Sequence, residues 1–198
     1  MKRFFTFEGI DGSGKSTIIR TVSEQLEKHG YKTISTFEPT DTWLGKYVQH
    51  QIKTKADPYV TAFTFIADRI QHCKYIKEWI EEGNIVLCDR YAESTYAYQS
   101  VQLKKTMEDP IHWLQDLSKH KILFPTLTFY FRINPEKALS RIQHRDELIP
   151  FEKQSFLQQV HLNYEKICKG RRFKTFDATK SISELTELCF NEIIKKSK

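Results

Sequence analysis

Glu8 to Thr17 reads "EGIDGSGKST" and stands directly behind the apolar run Phe4-Phe5-Thr6-Phe7. Three glycines and a lysine in so short a stretch are poor material for a core, so the segment reads as a turn built around something. Gly9-Ile10-Asp11-Gly12-Ser13-Gly14-Lys15-Ser16 matches G-x-x-x-x-G-K-[ST], with a strand-like run before it and helical spacing after it. Glycines let the backbone curl until several N–H groups point inward as an anion nest, at the positive end of the following helix. Lys15 would then reach β- and γ-phosphates, and the Ser16 hydroxyl would ligate magnesium. The reading is a nucleoside triphosphate site over Gly9 to Thr17; the alternative is a merely tight glycine turn.

Outward from this turn, strand-like runs alternate with helical patterns: Phe4 to Phe7, Thr33 to Phe37, Ile85 to Cys88, Leu127 to Ile133 and Phe173 to Phe176. Such alternation predicts an α/β domain with a mostly parallel sheet, helices on both faces and right-handed crossovers. The first helix presents Ile18, Ile19, Val22 and Leu26 and stops at Gly30. A longer one starts at Asp57-Pro58 and presents Phe63, Ile66, Ile70, Cys73, Ile76 and Ile80 before Gly83. Asp109-Pro110 and Asn134-Pro135 repeat that start signal, and Ser181 with Glu184 makes a capping box for the last helix.

At 198 residues, 39% hydrophobic and 28% charged, with seven glycines and six prolines, the chain suits one globular domain rather than a disordered or fibrous protein. No apolar run approaches the roughly 20 residues of a membrane span, and the start, Met1-Lys2-Arg3-Phe4, lacks a secretion signal's apolar stretch. Cys73, Cys88, Cys168 and Cys189 have no metal-ligand spacing and read as packed, reduced thiols, so a cytoplasmic location is expected. The formal charge of +6 suggests an anionic partner. Lys104-Lys105, Lys169 to Arg172 and Lys195 to Lys198 carry no interleaved aromatics, so they read as solvated helix ends rather than a nucleic-acid surface.

Ile85 to Tyr91 reads "IVLCDRY". A buried strand ending in Asp-Arg is costly unless both charges have work, and ligands of open α/β sheets bind at the carboxyl ends of strands. Asp89 is placed to hold a magnesium shell and Arg90 to clamp a phosphate; an Asp-Arg surface pair is the plainer alternative. A GTPase switch would need a D-x-x-G motif after a later strand, and no aspartate outside the loop has a glycine three residues on.

Taken together, "EGIDGSGKST", "FIADR" (Phe65 to Arg69) and "DRYAESTYAYQ" (Asp89 to Gln99) resemble the thymidylate kinase family, ATP-dependent kinases of dTMP. The similarity extends over nearly the whole chain, through Phe37-Glu38-Pro39, Leu123 to Leu127, Arg141 to Glu152 and Asp177-Ala178-Thr179. It implies a three-layer P-loop nucleoside monophosphate kinase fold with a five-stranded parallel sheet, Mg²⁺ as cofactor, ATP and dTMP as substrates, and a homodimer. The resemblance implies that Phe65 stacks on thymine and Arg69 donates to its carbonyl; core packing and a solvated face are the alternatives. By the same resemblance Ser94, Tyr98 and Gln99 line the acceptor site, with Tyr98 where a ribose 2′-hydroxyl would intrude. Tyr96 and Tyr98 read equally well as packing aromatics. Asp11 resembles the acid near the deoxyribose 3′-hydroxyl and acceptor phosphate, or it bonds nearby loop N–H groups.

Residues 141–152 resemble a lid, with Arg141 and Arg145 one turn apart and able to reach the transferring phosphoryl group; a surface helix end is the alternative. Gly12 sits where one branch of the family has arginine, so this chain follows the bacterial-like branch whose lid supplies the arginines. Phe37 stands where bacterial relatives often have arginine, and Pro150 where a lid arginine is common. A P-loop kinase of another nucleoside monophosphate or of a deoxynucleoside remains the nearest rival. A non-catalytic nucleotide-dependent module binding nucleic acid is the rival of a different class.

Overall fold

The computed structural model describes residues 3–142 and 154–197. The elements run β1 (Phe4–Glu8), α1 (Lys15–Lys28), β2 (Thr33–Phe37), α2 (Trp43–Thr54), α3 (Pro58–Glu81), β3 (Ile85–Asp89) and α4 (Ala92–Leu103). They continue as α5 (Pro110–Ser118), β4 (Leu127–Arg132), α6 (Pro135–Ile142), α7 (Gln154–Ile167), β5 (Phe173–Asp177) and α8 (Ile182–Ser197). Five parallel strands pair in the order β2-β3-β1-β4-β5. The expected strands all form; β1, β3 and β5 each run one residue further than expected, to Glu8, Asp89 and Asp177, and β4 ends one residue short, at Arg132.

The order explains the apolar pattern. Central β1 is buried at every residue, because helices cover both faces of a parallel sheet, whereas edge strands β2 and β5 are only partly covered. Phenylalanines run across the sheet from β1 to β4 to β5: Phe7 stacks on Phe131 at 6.0 Å, and Phe129 on Phe176 at 5.9 Å.

Helix starts follow their sequence signals. Asp57 accepts from the amides of Tyr59 and Val60, Asp109 from that of His112 and Asn134 from that of Glu136. Ser181 and Glu184 close the capping box in both directions, each accepting from the other's amide at 3.2 Å. At the end of α1 the amide of Tyr31 donates to Leu26 O, with Gly30 at φ 82°, the left-handed turn a glycine makes without strain. All four cysteines are free and buried.

Three helices depart from expectation. The α2 and α7 helices are absent from the sequence reading; the start of α2 is set by the Thr42 hydroxyl, which accepts from Gly45 N. The apolar spacing of α3 misplaces its buried face. Phe63 is 50% exposed and packs edge-on against Trp113, while Asp68, Arg69 and His72 are almost wholly buried. That polar face is stabilised by the Arg69–Glu38 ion pair and by hydrogen bonds to Asp68 and His72, which apolar periodicity cannot register.

Candidate active site

The turn after β1 is shaped by backbone. Gly9 adopts φ 143°, and a Cβ there would lie 2.7 Å from Phe131 O; at Gly12, φ 81°, a Cβ would run into the Ala138 carbonyl of α6. Either would demand a shift of backbone, so both positions require glycine. Gly12 therefore has no room for the arginine of the family's other branch. Instead Arg141, from α6, lays its guanidinium on the Gly12 carbonyl at 3.3 Å and on Ala178 O at 3.1 Å.

Lys15 folds into the loop, donating to Gly9 O at 3.0 Å, Ile10 O at 3.1 Å and Ser13 Oγ. Burial, helped by Arg90, pushes its ammonium down to about 8 against the pull of Asp89, Asp11 and Glu8. Ile10 contributes its carbonyl, its side chain being part of the core, and Thr17 lies in the first turn of α1. Ser16 donates to Asp89 Oδ2 at 2.5 Å, while Asp89 Oδ1 is buried with no hydrogen-bond partner among the described residues.

Arg90 has φ 67°, outside the usual range for a side-chain-bearing residue. Its guanidinium donates to Asp11 Oδ1 at 2.6 Å, to Gly9 O and Ser94 Oγ at 3.1 Å, and to the Tyr98 hydroxyl at 3.4 Å. Burial would raise the Asp11 carboxyl, but the charges of Arg90 and Lys15 and the bonds from Arg90 and Tyr98 outweigh it and hold the group at about 2. Asp11 thus bonds side chains of α4 and its leading turn rather than only loop amides.

Two cavities meet here. A polar one of about 430 Å³ is lined by Lys15, Ser16, Phe37, Asp89 and their neighbours. A smaller one of about 150 Å³ is lined by Phe65, Arg69, Ser94, Tyr98 and Gln99. Asp11, Glu38 and Arg90 line both. Phe65 therefore faces a cavity rather than the core, and Arg69, 1% exposed, is no solvated face. Tyr98 lines the cavity, whereas Tyr96 is a packing aromatic hydrogen-bonded to Ser118.

Arg69 donates through Nε to Glu38 at 2.8 Å and through Nη2 to Tyr91 O and Thr95 Oγ1. Its Nη1 has no partner among the described residues, nor have both amide atoms of Gln99. Buried donors and acceptors left open on a cavity wall are what a polar ligand completes. Burial works against the Arg69 charge, and Glu38 more than restores it. Glu38 also meets His72 Nδ1 through Oε1 at 2.9 Å, and it precedes a cis peptide to Pro39.

The sequence reading missed Glu38, His72, Thr95 and, beneath the cavity, Glu8 and Tyr164. The Phe37-Glu38-Pro39 match was visible without a role; Glu8, a carboxylate ending a buried strand, carries the same signal that singled out Asp89. Arg145 and Pro150, and with them most of the expected lid, lie outside the described residues.

A family model described as Thymidylate kinase matches residues 7–188. A probable thymidylate kinase of Methanosarcina barkeri is 39% identical over 198 residues, covering 98% of this chain and 95% of its own. A probable thymidylate kinase of Sulfurisphaera tokodaii is 36% identical over 189 residues, with 94% and 93% covered. The thymidylate kinase of Bacillus licheniformis is 33% identical over 207 residues, with 98% and 95% covered. With a phosphate loop opening onto a second, base-sized cavity and likeness of this extent, the chain belongs to the thymidylate kinase family.

Proposed function

We propose that this kinase's transfer of the γ-phosphoryl group of ATP to dTMP, giving dTDP, is carried by the residues where the two cavities meet. The observation behind this assignment is that Asp11 and Arg90 line both cavities. The larger cavity takes the triphosphate end of ATP over Gly9 to Thr17, and the smaller takes the thymine nucleotide. Phosphoryl transfer through a loose transition state asks mainly for positioning and charge. Lys15 and Arg90 supply the charge, joined by Arg141 and by Arg145 from the lid.

In the acceptor cavity Phe65 stacks on the thymine ring, and Arg69 Nη1 donates to a base carbonyl. Ser94 and Gln99 complete the wall. Asp11 faces the deoxyribose, and Tyr98 fills the space a ribose 2′-hydroxyl would need. The Ser16 hydroxyl and the orphaned Asp89 Oδ1 fit a hydrated magnesium ion. Among the described residues no cluster of three His, Cys, Asp or Glu could hold a metal, as suits an ion that also draws ligands from the nucleotide's phosphates. When bound, the ion neutralises charge on the β- and γ-phosphate oxygens.

The chain works as one domain with a lid over 141–152 and as a homodimer; exposed Trp43, Tyr47, Val60 and Phe63 on α2 and α3 support helical pairing. The four unpaired thiols support a reducing, cytoplasmic setting. Among the described residues no helix is long and apolar enough to cross a membrane.

ADP release with Mg-ATP and dTMP, dUMP, dCMP, dGMP, AMP, UMP or thymidine tests the assignment. A strong dTMP signal, weaker dUMP and ribonucleotides near background are expected. Equal turnover of dTMP and UMP would overturn the role given to Tyr98, and turnover of thymidine without dTMP would overturn the acceptor assignment.

A further inference from the structure

Behind Arg90, at the end of β1, lies a carboxylate that the roles above leave unused. Glu8 is fully buried, yet it accepts four hydrogen bonds: at Oε1 from Tyr91 N at 2.7 Å and Ser94 N at 3.3 Å, and at Oε2 from Ser94 Oγ at 2.6 Å and the Tyr164 hydroxyl at 2.9 Å. Two of these donors are the amide of Tyr91, the N-cap residue of α4, and that of Ser94 in the helix's first turn, and Tyr91 makes no side-chain cap of its own. A negative charge from another strand therefore caps this helix, at the end where a helix favours an anion.

The same cap fixes the direction of a short chain of protons. Arg90 Nη1 lies 3.1 Å from Ser94 Oγ and can only donate. The Ser94 hydroxyl accepts from Arg90 and spends its one proton on Glu8, so the polarity runs Arg90 to Ser94 to Glu8. Tyr164 brings α7, the helix that follows residues 141–152, onto the same carboxylate and within 2.9 Å of Ser94 Oγ.

We propose that Glu8 is a positioning residue for phosphoryl transfer: its buried carboxylate caps α4 and, through the Ser94 hydroxyl, holds the Arg90 guanidinium at the junction of the cavities. This rests on the role assigned to Arg90 above. Protonating Glu8 would reverse the Ser94 hydroxyl and remove the charge behind the Arg90 turn.

The surroundings bring that event into the working range. Burial, then the neighbouring Glu93 carboxylate, push Glu8 up to about 7 against the pull of Ser94, Arg90 and Tyr91 N. Glu93 is itself paired with Arg172 at 2.6 Å. Lys15 from α1, Tyr164 and Cys168 from the α7 side, and Cys88 from β3 also feel the Glu8 charge. Between pH 5 and 7 the folded chain holds a proton on Glu8 that the unfolded chain releases, so this group adds stability as pH falls. Activity falls over that same window, and the opposite signs separate positioning from a merely structural role.

The test is kcat for ATP and dTMP from pH 5.5 to 8.5 for the parent, Glu8→Gln, Tyr164→Phe and Arg90→Ala, with folding followed by circular dichroism. Glu8→Gln should lower kcat at pH 8 by about 100-fold, as a small misplacement of a charge at a reacting centre does, and lose the parent's acid limb. Its thermal midpoint should lack the parent's added stabilisation between pH 7 and 5. Tyr164→Phe removes a donor that favours the ionised carboxylate, so its acid limb should move to higher pH. Should Glu8→Gln fail to fold, Tyr164→Phe decides: a shifted limb supports the proposal and an unshifted limb overturns it. Glu8→Gln with a kcat within threefold of the parent, or with the acid limb intact, also overturns it. If Arg90→Ala keeps its activity, the role given to Arg90 fails; if Arg90→Ala is inactive while Glu8→Gln is not, the Glu8 inference alone fails.

Discussion

The phosphate loop and the acceptor cavity meet at Arg90 but are made of different material. The loop is shaped by backbone, with Gly9 and Gly12 at positive φ and packed against the carbonyls of Phe131 and Ala138. The cavity is shaped by side chains held in ion pairs and hydrogen bonds: Arg69 to Glu38, Glu38 to His72, and Arg90 to Asp11. On the proposed assignment, added atoms should disable the first and removed charge the second. The difference follows from the ligands, since phosphate oxygens are met by N–H groups that every residue carries, while a base edge demands particular donors at particular places.

The sharpest way to break this contrast is Arg69→Leu. It leaves Glu38 buried with only His72 beside it, and removing one partner of a buried pair costs about 3–5 kcal/mol. Chemical denaturation should report that loss, and the double variant Arg69→Leu with Glu38→Met should recover much of it while remaining unable to saturate with dTMP. A double variant with normal dTMP affinity would show that the cavity does not depend on its charges.

Gly12→Ala probes the other side. Its methyl group meets the Ala138 carbonyl in a backbone conformation that side-chain-bearing residues rarely adopt. Overpacking and strain together should cost about 1–3 kcal/mol. The expected kinetic signature is a raised KM for ATP with the KM for dTMP little changed, read from initial rates. Equal rises in both would mean that the two regions move as one.

Tyr98→Phe is the gentlest. It deletes the hydroxyl that donates to Asp11 Oδ2 at 3.0 Å and accepts from Arg90, leaving the ring over the Arg90 guanidinium. The 3.4 Å contact from Arg90 is long and adds little, so the loss is that of one hydrogen bond, about 1 kcal/mol, and the KM for dTMP should rise about fivefold with discrimination against UMP retained. Loss of that discrimination would mean that the hydroxyl, rather than the ring, excludes the ribose.

The legible and illegible parts divide along the same line. Gly9 to Ser16 can be read from the sequence because its chemistry lies in one continuous turn, and the helix caps at Asp57, Asp109, Asn134 and Ser181 because each acts within three residues. Asp89 and Arg90 stand out as charges where a buried strand ends. In α3 the same local reading goes astray, placing Phe63 inward when its ring is half exposed and giving no reason for a buried Asp68 or His72. Those side chains are held by partners far along the chain: Thr40 for Asp68, and Glu38 with Thr36 for His72.

The sequence by itself determined the alternating α/β plan, the phosphate loop and the pair of charges closing β3, because strand burial, glycine conformation and helix capping act over a few residues. Only the tertiary structure decided which side of α3 faces a cavity, that Arg69 reaches it with one nitrogen unpaired among the described residues, that Arg141 bonds the Gly12 carbonyl, and that Glu8 sits behind Arg90. Each of these depends on the parallel sheet bringing β2, β3, β1 and β4 and the segments that follow them side by side. A buried charge is stable only where such a meeting supplies its partner.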